Sequence, residues 1–182
     1  FEKIIEEIPE EPIINNFEET NTNTNSYEEE IKMLEESGIP VYDSDSRAKA
    51  LYREVPGLLE RIEKAIGVPY SNFGIIFSDR SKREKLESIL YPVVLDDIRK
   101  WLESLSSEVA FIESATALGC SLFDGLYSEV WMVDAPLQER IRRNPKAAQR
   151  DSLQNFDPAR ITHIITNDSS LENLYEQTDR LL

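Results

Sequence analysis

From residue 37 onward, the chain alternates between short apolar segments and amphipathic ones. The apolar segments IPVYD (39–43), EVAFIESA (108–115), SEVWMVDAP (128–136) and THIITND (162–168) have the length and composition of strands. The second and third read as strands buried on both faces, as in a parallel sheet. Because segments with helical periodicity separate the strands, the pattern predicts a three-layer α/β/α fold with a mostly parallel sheet.

The helical segments are predicted from apolar positions three and four residues apart. In the first, after residue 25, Ser26 and Glu29 have the spacing of a capping box, and Gly38 is a natural C-terminal cap. Two helical segments lie on either side of Pro92, and in the second of them Trp101 falls on the apolar side and is predicted to be a core residue. The remaining helices are expected at 45–55, 57–67, 136–143 and 170–182.

Residues 1–25 differ from the rest of the chain. They are acidic and partly of low complexity (TNTNTN), and only PIINNF (12–17) could form a short strand, at a sheet edge. Of the formal net charge of −15, residues 1–38 carry twelve Glu and two Lys, a net of −10. We therefore predict an acidic N-terminal segment at 1–25, followed by a single α/β domain at 26–182.

Composition excludes several classes of function. The net charge of −15 opposes general binding to nucleic acid or to an anionic membrane, and no apolar run reaches the ~18 residues of a membrane span. A single cysteine, Cys120, cannot form an internal disulfide, which fits a reducing cytoplasm. His163 is predicted to be a core or strand-end residue, and the sequence has no Cys/His cluster typical of zinc.

Several segments together resemble one enzyme family. SGIPVYDSDSRAKALY (37–52), IFSDRSKREKLESILYPVV (76–94), FIESA (111–115), LFDGLYSEVWMVDAPLQERIRR (122–143), RDSLQ (150–154) and HIITNDSSLENL (163–174) are similar, in that order, to dephospho-CoA kinases. That family transfers the γ-phosphate of ATP to the ribose 3′-hydroxyl of dephospho-CoA, and Tyr91-Pro92 stands where a His-Pro pair is usual. The resemblance implies a P-loop kinase-like fold, a helical substrate region at about 50–105 and a short lid at about 138–154.

The resemblance also implies the site. Asp43 matches the aspartate that accepts the proton of the attacking hydroxyl, and Asp45, two residues later, is expected to contact the substrate or its phosphate. Arg143 and Arg150 match lid arginines that contact phosphate, and Asn167 matches an asparagine near the adenine. The implied ligands are ATP with Mg²⁺ and a dephospho-CoA-like substrate. Ordinary structural roles remain open: Asp45 as the cap of the next helix, and the arginines on a solvated helix with Glu139 as a partner.

The family's phosphate loop, G-x-x-x-x-G-K-[ST], is replaced. Counted back without gaps, its glycines, lysine and hydroxyl fall on Asn21, Ser26, Tyr27 and Glu28. Glutamates at 28–30 supply the anions that a helix N-terminus otherwise takes from a phosphate. Two functions follow: a divergent kinase that uses Mg·ATP, or a catalytically silent relative or engineered chimeric chain that needs no cofactor and acts as a binding or scaffold protein.

Overall fold

The structure is a computed structural model, and it describes residues 26–143, 145 and 156–182. Among these, the side chains of residues 26–30, 143 and 171 are not described. The possible strand at 12–17, the predicted loop at 18–25 and most of the predicted lid lie outside the described residues. The side chains of the predicted capping box, Ser26 and Glu29, lie outside them as well.

The described residues alternate between helices and strands, as the pattern predicts. The strands are β1 (Val41–Asp43), β2 (Phe111–Glu113), β3 (Trp131–Asp134) and β4 (His163–Thr166). The helices are α1 (Ser26–Glu36), α2 (Ser44–Glu54), α3 (Leu58–Ile66), α4 (Arg80–Ser104), α5 (Leu137–Arg143) and α6 (Leu171–Asp179). Short 3-10 helices lie at Tyr70–Phe77, Ala117–Gly119, Ser121–Phe123 and Pro158–Arg160.

All strand pairing between the described residues is parallel. β1 pairs with β2, and β3 pairs with β4, giving two two-stranded sheets. The rings of Phe111 and Trp131, the first residues of β2 and β3, meet edge to face with centroids 4.9 Å apart. Parallel strands joined through helices confirm the α/β class.

The expectation that the strands are buried on both faces is wrong for β2 and β3. All three residues of β2 are half-buried, and Val133 in β3 is 37% exposed. In β4, Ile164 is 62% exposed, whereas its neighbour Ile165 is 1% exposed. Since successive side chains point to opposite faces of a strand, one face of β4 is covered and the other is open.

Residues Ala48–Val93 form one compact unit. Its α3 buries Leu58, Ile62 and Ile66 almost completely, at the four-residue spacing that places them on one side of the helix. Helix α3 lies between Gly57 and Gly67, both with a positive φ. The Lys82 ammonium group donates a hydrogen bond of 2.6 Å to the carbonyl of Ile66, which lies at the negative end of the helix dipole.

Helix α4 runs through Pro92 instead of breaking there, so the two segments predicted around this proline form one helix of 25 residues. Proline lacks the N–H that would bond to the Ser88 carbonyl one turn earlier. Pro92 is exposed, so water can reach the region of the missing bond. The helical turns before and after Pro92 keep their backbone hydrogen bonds, so the helix continues through the proline. No helix in the described part of the chain is long and apolar enough to cross a membrane.

The second unit comprises residues 26–47 and Val94–Leu182, within the described ranges, and holds all four strands. Tyr42 is 2% exposed, and its ring lies 5.3 Å from that of Trp101, which is half-buried. Ile98, on the same helix as Trp101, is 1% exposed. The apolar face predicted for the second half of α4 therefore contributes to the core of this unit.

Candidate functional site

Asp43 is both the last residue of β1 and the N-cap of α2. Its carboxylate accepts hydrogen bonds from the backbone N–H of Ser46, at 3.0 Å, and from the Ser46 hydroxyl, at 2.6 Å. This geometry satisfies an amide of the first helical turn. The interpretation that Asp45 caps α2 is therefore wrong. Because the helix begins at Ser44, the capping position is that of Asp43, and Asp45 is exposed in the first turn.

Capping leaves the Asp43 carboxylate able to accept more hydrogen bonds. An ionised carboxylate has about four lone-pair sites, and Ser46 uses two of them, one on each oxygen. The two bonds fix the orientation of the carboxylate at the C-terminal end of a strand. A fixed carboxylate with free lone pairs can accept a proton from a bound hydroxyl group.

Glu113 is an acidic residue of the site that the sequence did not predict. It ends β2 as Asp43 ends β1, and the two residues are partners in the register of the parallel pair. Burial, followed by the charges of Asp45 and Asp43, raises the pKa of Glu113 to about 7. The available signal was the position of Glu113 at the end of an apolar run, FIESA, like that of Asp43 in IPVYD.

Near Asp43, the start of α2 is bonded to α4 through three residues, Tyr42, Arg47 and Asp97. The Arg47 guanidinium donates two hydrogen bonds to the Asp97 carboxylate, at 3.0 and 2.9 Å, and the Tyr42 hydroxyl donates one at 2.6 Å. The hydrogen bond from Arg47 lowers the pKa of Asp97, and burial raises the pKa of Tyr42. β1, α2 and α4 are thereby joined immediately next to Asp43.

Asn167 lies at the end of the other sheet. It follows β4, it is 7% exposed, and its backbone N–H donates a 2.7 Å hydrogen bond to the carbonyl of Asp134, the last residue of β3. Asn167 thus lies at the start of the turn between β4 and α6. The structure thus brings Asp43, Asp45 and Glu113 together at the end of β1 and β2, and it places Asn167 at the end of β4.

The predicted lid arginines are only partly described. Arg143 is the last residue of α5, and its side chain lies outside the described residues, as does the whole of Arg150. Within α5, Arg142 pairs with Glu139 at 2.8 Å, so the open alternative of a solvated arginine with Glu139 as its partner is correct for Arg142. Arg140 donates to the carbonyl of Ala135 at 2.8 Å.

The described part of the chain contains no group of three or more His, Cys, Asp or Glu side chains able to hold a metal ion. His163 is the first residue of β4, and its Nε2 lies 3.5 Å from Oε2 of Glu129. It is therefore at the opposite end of β4 from Asn167. Its prediction as a strand-end residue is confirmed.

Relatives of this chain share one name. The curated relatives include dephospho-CoA kinases from Porphyromonas gingivalis (38% identical over 123 aligned residues, 63% of this chain and 59% of the relative) and Parasynechococcus marenigrum (27% identical over 131, 67% and 65%). The chain therefore spans about 60% of the length of these two. The enzyme of Thiobacillus denitrificans is 27% identical over 167 residues, covering 80% of this chain and 83% of the relative.

Two solved structures are similar in fold. TT1252 from Thermus thermophilus superposes with a TM-score of 0.67 at 26% identity, covering 86% of this chain and 90% of the other. Dephospho-CoA kinase from Campylobacter jejuni gives a TM-score of 0.53 at 14% identity, covering 86% and 89%, and supports the fold alone. The family model described as dephospho-CoA kinase matches residues 30–182. The chain therefore belongs to the dephospho-CoA kinase family and has its P-loop kinase-like α/β fold.

Proposed function

We propose that this chain is a cytoplasmic dephospho-CoA kinase, which transfers the γ-phosphate of ATP to the 3′-hydroxyl of dephospho-CoA in coenzyme A biosynthesis. The observation that carries the proposal is the Asp43 carboxylate, held by Ser46 at the end of a parallel strand, inside the family match at 30–182. In open α/β sheets, ligands bind outside the carboxyl ends of the strands. Asp43 stands at such an end.

In the proposed reaction Asp43 is the proton acceptor. The 3′-oxygen forms a bond to the γ-phosphorus while the bond from that phosphorus to the β–γ bridging oxygen breaks, and ADP leaves. The hydroxyl proton passes to Asp43, whose two oxygens each keep a lone pair after bonding to Ser46. A base of this kind contributes about 10²–10⁴ in rate, with positioning and charge stabilisation supplying much of the remainder.

The other ligand contacts of the proposal follow the family pattern. Asp45 contacts the substrate beside Asp43, Arg143 and Arg150 contact phosphate through their forked donors, and Asn167 lies near the adenine. Mg²⁺ arrives with ATP, because Mg²⁺ in such sites is held largely by phosphate oxygens and water. The helical region at about 50–105 holds the pantetheine arm, and residues 138–154 act as the lid.

A second candidate is a silent relative, which binds a CoA-like ligand or a protein partner without transferring phosphate. It is favoured by the residues at the place of the phosphate loop, where Tyr27 and Glu28 replace the lysine and the metal-binding hydroxyl. Without those groups the charge of a triphosphate loses its main protein partner. An engineered or chimeric N-terminal segment belongs to the same candidate.

Calorimetric titrations with Mg·ATP and with dephospho-CoA, followed by a product assay for CoA, distinguish the candidates. The kinase forms CoA, and Asp43→Asn lowers turnover about 10²–10⁴-fold. Asp157→Asn is the matched control, since Asp157 is an exposed aspartate that caps a 3-10 turn through the N–H of Ala159, outside the proposed site. Binding of dephospho-CoA with no response to ATP would establish the silent relative instead.

Restoring the phosphate loop tests the same question from the other side. The combined variant N21G, S26G, Y27K and E28S rebuilds the glycines, the lysine and the hydroxyl of the family pattern. If the wild-type chain does not bind ATP and this variant does, the remainder of the nucleotide site is intact and the natural chain is silent.

A further inference from the structure

The side chain of Gln177, on α6, makes two hydrogen bonds to the backbone of Thr166, the last residue of β4. The N–H of Thr166 donates to Oε1 of Gln177 at 3.0 Å, and Nε2 of Gln177 donates to the carbonyl of Thr166 at 2.9 Å. A primary amide that bonds to both the N–H and the C=O of one residue makes the same pair of bonds as a neighbouring strand. We call this pair of bonds the Gln177 bridge.

The direction of the backbone explains why Thr166 is available to Gln177. In a strand the N–H and C=O groups of successive residues point alternately to the two sides. The N–H of Asn167 points toward β3, where it bonds to the carbonyl of Asp134 at 2.7 Å. Thr166 therefore directs its N–H and C=O to the opposite edge of β4, and the Gln177 bridge satisfies both groups there.

The backbone of Thr166 fixes the orientation of the Gln177 amide, and Asn173 supports the same orientation. Nε2 also donates to Oδ1 of Asn173 at 2.8 Å. With the amide reversed, Nε2 would face the N–H of Thr166, and Oε1 would face three acceptor oxygens: the carbonyl oxygens of Thr166 and Asn173 and Oδ1 of Asn173. The backbone N–H of Asn173 bonds in turn to the Ser170 cap of α6 at 3.3 Å. The end of β4 is thus bonded to both the start and the interior of α6.

We infer that Gln177 is a positioning residue for the nucleotide side of the site. It holds the backbone of Thr166, and thereby the adjacent, buried Asn167, in the place from which Asn167 contacts the adenine. This inference rests on the proposed function, in which ATP is bound beside Asn167. Gln177 itself need not touch the nucleotide, because its bonds are to the backbone at the end of β4 and to Asn173.

The test compares three variants of the full chain. Gln177→Leu removes both bonds of the bridge at similar side-chain volume, and Gln177→Glu keeps an acceptor for the Thr166 N–H while losing the donor. Asp179→Leu is the matched control, because it also places a leucine on α6, at an exposed residue. The readouts are the Kd for Mg·ATP and for dephospho-CoA, the KM and kcat values, the melting temperature and hydrogen exchange of the Thr166 amide.

We expect Gln177→Leu to raise the Kd and KM for ATP about tenfold, which corresponds to about 1.4 kcal/mol, with the Kd for dephospho-CoA and kcat unchanged. Gln177→Glu should also raise both values, because it places a second acceptor oxygen against the Thr166 carbonyl, and Asp179→Leu should raise neither. The Thr166 amide should exchange faster in Gln177→Leu than in the control.

Three results would overturn the inference. An unchanged Kd for ATP in Gln177→Leu, with faster exchange at Thr166, would show that the bridge is only structural. An equal loss of affinity for ATP and dephospho-CoA would show general destabilisation instead of positioning. If the wild-type chain itself did not bind ATP, the proposed function would fail and this inference with it, whereas the first two results leave the proposed function standing.

Discussion

Asp43 and Glu113 are the final residues of two hydrogen-bonded parallel strands, and they are partners in the register of the pair. Their carboxyl groups differ in environment. Asp43 accepts two hydrogen bonds from Ser46, whereas burial and the neighbouring charges of Asp45 and Asp43 raise the pKa of Glu113 to about 7. Near neutral pH, the Glu113 carboxyl group therefore binds a proton for part of the time, at the same end of the strand pair as Asp43.

The raised pKa of Glu113 predicts a loss of stability as the pH rises. The folded chain binds the Glu113 proton more tightly than the unfolded chain, whose ordinary value is 4.5, so the stabilisation is complete below that pH and is lost as the pH rises through about 7. Because the side chain is only partly buried, we expect a change of about 2 kcal/mol in the free energy of unfolding. Denaturant titrations at pH 5 and pH 8 measure it.

The control for Glu113 is the variant Glu113→Gln, which cannot ionise. Relative to the wild type, it should gain stability at pH 8 and show little difference at pH 5. Asp45→Asn should move the pH dependence of the wild type to lower pH, because it removes a neighbouring charge that raises the pKa. Parallel pH profiles for the wild type and Glu113→Gln would contradict this account.

Asp97 and Asp96 are adjacent aspartates with different predicted contributions to stability. Asp97 accepts bonds from Arg47 and Tyr42, whereas Asp96 pairs with Lys100 at the surface, with side chains 64% and 72% exposed. We expect Asp97→Asn to lower the free energy of unfolding at pH 7 by about 1–3 kcal/mol and Asp96→Asn by less than about 0.5 kcal/mol. Denaturant titrations of both variants measure the difference.

The pH dependence of Asp97 has the opposite sign to that of Glu113. Arg47 lowers the pKa of Asp97 below 3.8, so its stabilisation is present above that pH and is lost as the pH falls through the lowered value. The wild type and Asp97→Asn should therefore converge in stability at low pH. A constant difference between them down to pH 2 would refute this assignment.

Truncating Ile62 and Ile164 to alanine tests how strongly burial determines the loss in the free energy of unfolding. Ile62 in α3 is 0% exposed, whereas Ile164 in β4 is 62% exposed. Ile62→Ala should lower the free energy of unfolding by about 2–5 kcal/mol, since it leaves a cavity in a packed core. Ile164→Ala should cost less than about 1 kcal/mol. Equal costs in thermal or chemical unfolding would argue against the packing described for α3.

Alanine substitutions at Gly67 and Gly74 distinguish the cost of backbone strain from the cost of steric crowding. At both glycines an added Cβ would meet no atom of a more distant residue within 4 Å, but only Gly67, which ends α3, has a positive φ, at +74°. We expect Gly67→Ala to cost about 1–2 kcal/mol through strain of the left-handed conformation. Gly74→Ala should be neutral or slightly stabilising, by up to about 1 kcal/mol, through the entropy of the unfolded chain. The reverse order in melting temperature would contradict the backbone assignment.

The sequence predicted the positions of two of the polar residues at strand ends and missed a third, Glu113. Asp43 and Asn167 each follow an apolar run, and the structure places both at the ends of parallel strands. The period of the apolar positions also predicted most helices and all four strands, because burial of one face requires that period. The prediction of two separate helices around Pro92 was wrong. The local rule that proline ends a helix does not include the stability that a long helix gains from its other turns.

What the sequence determined by itself is the order of helices and strands and the family of the chain, because both depend on residues near one another in the chain. Tertiary structure alone decided which distant groups meet: Glu113 opposite Asp43, Asp97 against Arg47, and Gln177 on the backbone of Thr166. It also left one face of β4 open at Ile164. Strand register and helix docking set these contacts, and both arise from pairing and packing across many residues instead of from local spacing.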